Sequence, residues 1–128
     1  MRLSGKLEGK KSVLPDELAQ AKIVYMIINR KPEEALNKLS EFYHVQPPKF
    51  AVGTVKGKRK TVFAVYVYKE RKIYAINSDI FYNPFILLHE FYHHIRWRSR
   101  EHRGSEKHAN KYAQEFINSY IKIVDRHK

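Results

Sequence analysis

The sequence predicts an α+β domain. Two N-terminal helices should come first, then a small three-stranded and mainly antiparallel sheet, then two C-terminal helices. Three observations predict this. Apolar residues recur at helical spacing near both ends of the chain. The middle is a series of short runs rich in Val, Ile, Tyr and Phe, punctuated by Pro, Gly and clustered Lys. At 128 residues, with 43% hydrophobic and 13% aromatic content, the chain is long and apolar enough for one compact core.

Residues 1–13 are basic, contain Gly5 and Gly9, and read as a loose arm. A helix is expected from Pro15 to Asn29, where Leu18, Ala21, Val24, Tyr25, Ile27 and Ile28 give a broad apolar face. Lys31-Pro32 breaks it. Pro32 suits the first turn of a second helix carrying Ala35, Leu36, Leu39 and Phe42, which ends before Pro47-Pro48. Strands are expected over Lys49–Gly53, Thr61–Lys69 and Lys72–Asn77, with Lys56–Lys60 as a hairpin loop and Lys69–Arg71 as a tight turn. The second run is apolar on both faces, which predicts a central strand. Asn83 and Pro84 form a cap and first turn for a third helix. Phe85, Leu88, Tyr92 and Ile95 form its stripe, widened by Leu87 and Phe91. Beyond Gly104, with Ser105 placed as cap, Ala109, Tyr112, Ala113, Phe116, Ile117, Tyr120, Ile121 and Val124 set out a long amphipathic helix.

Composition narrows the function. Without cysteine there is no disulfide framework and no thiolate metal site. No run reaches membrane-spanning length and no signal-type apolar segment opens the chain, so a cytoplasmic location without membrane partners is expected. The formal net charge of +12 favours anionic partners.

The third helix carries His89-Glu90-Phe91-Tyr92-His93, an H-E-x-x-H pattern. Four residues turn a helix slightly past a full circle, so both imidazoles leave from nearly one side and can share a zinc ion. Glu90 lies between them as a candidate general base toward a metal-bound water. The helix is otherwise apolar nearly all round, so these polar groups need partners. A catalytic zinc normally has three protein ligands and a water. Arg96 and Ser99 stand where the Met-turn pattern H-E-x-x-H-x-x-G-x-x-H needs Gly and His, so a different third ligand is required. His94, Glu101, His102, Glu106, His108 and Glu115 are the candidates. Glu106 precedes Ala109 and Ala113 by three and seven residues and so faces the core side of its helix. His102 and His108 remain alternatives, as does a Glu that only stabilises a helix N-terminus.

His89-Glu90-x-x-His93 followed by Ser105-Glu106-Lys107-His108-Ala109-Asn110-Lys111-Tyr112-Ala113 resembles the gluzincin metallopeptidases. The second motif is similar to the E-x-x-A-N-x-F-A signature of ImmA/IrrE-like proteins, with Tyr112 in place of the usual Phe. The short chain resembles the minigluzincins known from archaea. The resemblance covers the C-terminal half. It implies a minimal zincin-like fold, zinc held by His89, His93 and Glu106, and Asn110 hydrogen-bonded to a ligand histidine. In related zincins the strand before the metal helix docks substrate, which implies that role for Tyr74, Ala75, Ile76 and Asn77.

The activity expected from this set is zinc-dependent endopeptidase action on a peptide or protein substrate, with Glu90 as base. Tyr112, Tyr120 and His108 are candidate donors to the oxyanion, and the residues alone select none of them. Two further readings accompany it. Arg96-Trp97-Arg98-Ser99-Arg100-Glu101-His102-Arg103, together with Lys56–Lys60, interleaves basic residues with an aromatic and suits nucleic-acid phosphates and a base. Some ImmA/IrrE-like and SprT-like zincins resemble this chain in coupling such a site to DNA. Latency is the other reading: the basic arm or the tail Asp125-Arg126-His127-Lys128 would cover the cleft, with His127 as an added ligand.

Overall fold

The computed structural model describes residues 13–53, 63–96 and 105–127. In chain order the elements are α1 (Glu17–Ile28), α2 (Pro32–Tyr43), β1 (Lys49–Val52), β2 (Ala64–Val67), β3 (Lys72–Ala75), a 3-10 turn (Ser78–Tyr82), α3 (Pro84–Arg96) and α4 (Ser105–Arg126). This is an α+β arrangement of four helices and one three-stranded sheet. The basic arm up to residue 12, the Lys56–Lys60 loop and residues 97–104 lie outside the described residues, so expectations placed there are neither met nor overturned.

Helix boundaries follow local chemistry. The first helix starts two residues later than expected, at Glu17, because Asp16 caps it: its Oδ1 accepts from the Ala19 amide at 2.9 Å. Pro32 occupies the first turn of α2, where its missing N–H costs nothing. His44 ends that helix in a left-handed conformation at φ 60°. Asn83 caps α3 as expected, its Oδ1 accepting from the Ile86 amide at 3.0 Å. The 3-10 turn was not expected. Asn77 caps it, accepting from the Ile80 amide at 3.3 Å.

The sheet differs from expectation. Its order is β1-β3-β2, and it is mixed: β1 runs parallel to β3 while β2 runs antiparallel to it. The expected mainly antiparallel sheet with the Thr61–Lys69 run at its centre is therefore corrected. β3 is the central strand and β2 lies at an edge. The register places Ala64 beside Ala75 and Tyr66 beside Ile73 on the face that packs against α3. Burial of Ala64, Ile73 and Ala75 marks that face. Strand composition misled here because α3 buries one face of β2 whether or not both of its edges are paired.

The core lies between this face and the helices. Val24, Ile27, Leu36, Leu39, Leu87, Leu88, Phe91 and Phe116 are fully buried within it. Ala109 and Ala113, one turn apart and both buried, let α4 approach α3 closely. A buried polar tie joins α4 to α1: the Ser119 hydroxyl donates to Gln20 Oε1 at 2.7 Å, and Gln20 Nε2 donates to the Pro15 carbonyl at 2.6 Å. Glu17 adds exposed ion pairs to Lys122 and Arg126 at 3.1 and 3.2 Å. Among the described residues no helix is long and apolar enough to cross a membrane.

Candidate metal centre

Helix α3 presents His89 and His93 on one side, as their spacing requires. Helix α4 crosses that side with its first turn, bringing Glu106 over both rings. Glu106 Oε1 is 2.9 Å from His89 Nε2, Glu106 Oε2 is 3.0 Å from His93 Nε2, and the two Nε2 atoms are 3.3 Å apart. Among the described residues these three form the group able to hold a metal ion. Of the other third-ligand candidates, His94, His108 and Glu115 fall outside the group, and Glu101 and His102 lie outside the described residues.

The donor set fits a cation. Zinc–ligand bonds of about 2.0–2.1 Å at tetrahedral angles separate the ligand atoms by about 3.3 Å, close to the spacings seen here. Asn110 decides the tautomer of His89. Its Oδ1 lies 2.8 Å from His89 Nδ1, so that nitrogen donates and Nε2 keeps its lone pair toward the cluster. Burial, the largest influence on His93, holds its imidazole below the usual histidine range, partly opposed by Glu106. A neutral His93 likewise offers a lone pair. Two imidazole lone pairs and a carboxylate facing one point are mutually repulsive without a positive centre among them.

Glu90 is buried, with Oε2 4.0 Å from His89 Nε2. It stands beside the three-residue group and not within it. The histidines are nearly enclosed, at 14% and 19% side-chain exposure, whereas Glu106 is 76% exposed. The centre is thus walled by protein on the α3 side and open to solvent on the α4 side.

Several other expectations change. Tyr74 and Ala75 pair with neighbours on both sides, the Ile76 amide donates to the Phe63 carbonyl at 3.0 Å, and Asn77 caps the 3-10 turn. This segment is internal and offers no free edge for substrate among the described residues. Among the described residues the outer edge of β2 is the one left unpaired beside α3. Tyr112 turns inward: Tyr43 donates its hydroxyl hydrogen to the Val13 carbonyl at 2.5 Å, so the Tyr112 hydroxyl, 3.0 Å away, donates to Tyr43. That bond removes Tyr112 as an oxyanion donor. His127 Nδ1 donates to the Ile123 carbonyl at the end of α4 and is not in the cluster. Of the basic stretch read for nucleic acid only Arg96 is described, with its guanidinium 5.6 Å from the centre of the Tyr92 ring.

Sequence reasoning missed the role of His94. It is 4% exposed, with Nε2 2.7 Å from the Gln46 carbonyl and Nδ1 2.7 Å from the Tyr66 hydroxyl. Its place next to His93 indicated only that it leaves α3 on another side; neither partner carries a sequence signal. No family model, no characterised protein sequence and no solved structure matches this chain.

Proposed function

We propose that this chain is a zinc-dependent endopeptidase of zincin-like architecture. The observation that carries the proposal is the convergence of His89 Nε2, His93 Nε2 and the Glu106 carboxylate to 2.9–3.3 Å, with buried Glu90 alongside. Two imidazoles and one carboxylate are a ligand set typical of hydrolytic zinc, which leaves a fourth position for water. When bound, zinc supplies Lewis acidity toward a carbonyl and lowers the pKa of a water to about 7.

The chain's own groups do the rest. Asn110 fixes the orientation of His89 through Nδ1. Glu90 accepts a proton from the attacking water and passes one to the departing amine. An extended peptide pairs its main chain with the outer edge of β2, Ala64–Val67, replacing the docking strand expected from sequence.

Metal analysis and proteolysis of a fluorescein-labelled unfolded protein test this together. The wild-type chain should carry one zinc and cleave the probe. Glu90→Gln should keep zinc and lose cleavage by about 100-fold or more. Glu106→Ala should lose the zinc. A folded wild-type chain that takes up no zinc, or a Glu90→Gln chain that cleaves as well as wild type, would refute the assignment.

A further inference from the structure

The edge strand and the helix that carries His93 are joined by one part-buried chain of hydrogen bonds, and its direction can be read. The Gln46 carbonyl can only accept, so His94 Nε2 carries the hydrogen and donates to it at 2.7 Å. His94 Nδ1 then holds a lone pair, and the Tyr66 hydroxyl donates to it at 2.7 Å. Burial pushes the Tyr66 phenol up to about 12, so it remains a donor across the neutral range. The Tyr66 ring meets the His94 imidazole edge-on, with centroids 5.3 Å apart. Three elements therefore meet at His94: β2 through Tyr66, the loop after α2 through Gln46, and α3 through the backbone that also carries His93.

We propose that Tyr66 and His94 are positioning residues that bolt the β2 edge to the metal-bearing turn and so fix the spacing between the strand edge and the centre. This rests on the zinc reading and adds what fixes the substrate-binding strand relative to the centre. The strand needs such a bolt. Among the described residues β2 has four residues and pairs on one side, with β3, so backbone bonding there leaves its spacing from α3 to side-chain contacts. Neither residue is a member of the His89–His93–Glu106 group. The bolt acts on the strand and leaves the ligands alone.

Cobalt provides a test that needs no substrate. Bound at the centre, paramagnetic Co2+ shifts nearby amide resonances according to their distance and orientation. In the full wild-type chain the Ala64, Val65, Tyr66 and Val67 amides should show single, sharp shifts. In Tyr66→Phe those shifts should broaden or shrink severalfold, while the amides of α3 and α4 and the cobalt affinity stay as in wild type. His94→Gln places its amide nitrogen where Nε2 was, so it keeps the Gln46 bond and loses the Tyr66 bond; it should reproduce the Tyr66→Phe pattern. The double variant should go no further than either single one. A wild-type chain that takes up no cobalt defeats the metal reading itself. A chain that binds cobalt, and whose β2 shifts are unchanged in both variants, defeats the bolt alone. Loss of thermal stability with unaltered shifts also defeats it, because that is the mark of ordinary packing.

Discussion

His89, His93 and His94 lie within six residues of one another and do two different things. Helical phase separates them: positions four apart share a side, and the next residue leaves about 100° further round. That much was legible in the sequence. Glu106 was legible only in part: its offset from Ala109 and Ala113 placed it on the core side, whereas its side chain is 76% exposed at the rim of that face, reaching the two imidazoles from solvent. The partners of His94 were not, because Gln46 and Tyr66 reach it through the tertiary fold from 48 and 28 residues away. Asn110 is the residue on which the metal reading is most sharply testable. Its amide oxygen holds His89 Nδ1 at 2.8 Å from an exposed helix position, where its loss costs the fold little. Asn110→Ala should leave the thermal midpoint of the metal-free protein nearly unchanged and weaken zinc affinity roughly 10–100-fold, read by chelator competition. Unaltered affinity would make it an ordinary surface Asn.

Among the elements, α4 ties the molecule together. Its buried side packs on α1 and α3 through Ala109, Tyr112, Ala113 and Phe116, while Ser119 bonds to Gln20. Phe116 is fully buried beside Tyr112, with ring centroids 5.0 Å apart. Phe116→Ala should cost about 3–5 kcal/mol in urea denaturation of the metal-free chain. It should also lower zinc affinity, since Glu106 rides on the same helix. A change under about 1 kcal/mol would mean that the site collapses around the gap. The helices were readable because each announces its caps and its stripe locally: Asn83 before Pro84, Pro32 after Lys31, the long apolar pattern after Ser105. The sheet was not. Its strands were located to within a few residues, but strand order depends on which partner each finds in space. A parallel β1–β3 pair that leaves β2 outside has no local signature.

At the scale of the whole molecule, the formal charge of +12 and the buried phenols set the response to pH. Burial raises Tyr43, Tyr66 and Tyr112 above the usual tyrosine value. Their folded pKa values exceed those of the unfolded chain, so their contribution to stability is complete below about pH 10. It is lost as pH rises through the folded values, which for Tyr66 lies near 12. The metal-free protein should therefore lose stability steadily above about pH 10. In spectrophotometric titration these three tyrosines should ionise only as the fold is lost. Tyrosine ionisation complete near pH 10 in a still-folded chain would contradict their burial.

The unequal enclosure of the three groups bears on how a zinc ion held as proposed would come and go. Both imidazoles are walled in, while the carboxylate that completes the set stands three-quarters in solvent on the first turn of its helix. With zinc held as proposed, a rotation of that one side chain would open a coordination bond without disturbing a packed residue. Release should then begin at Glu106, outrun global unfolding, and make a small chelator able to strip the native protein.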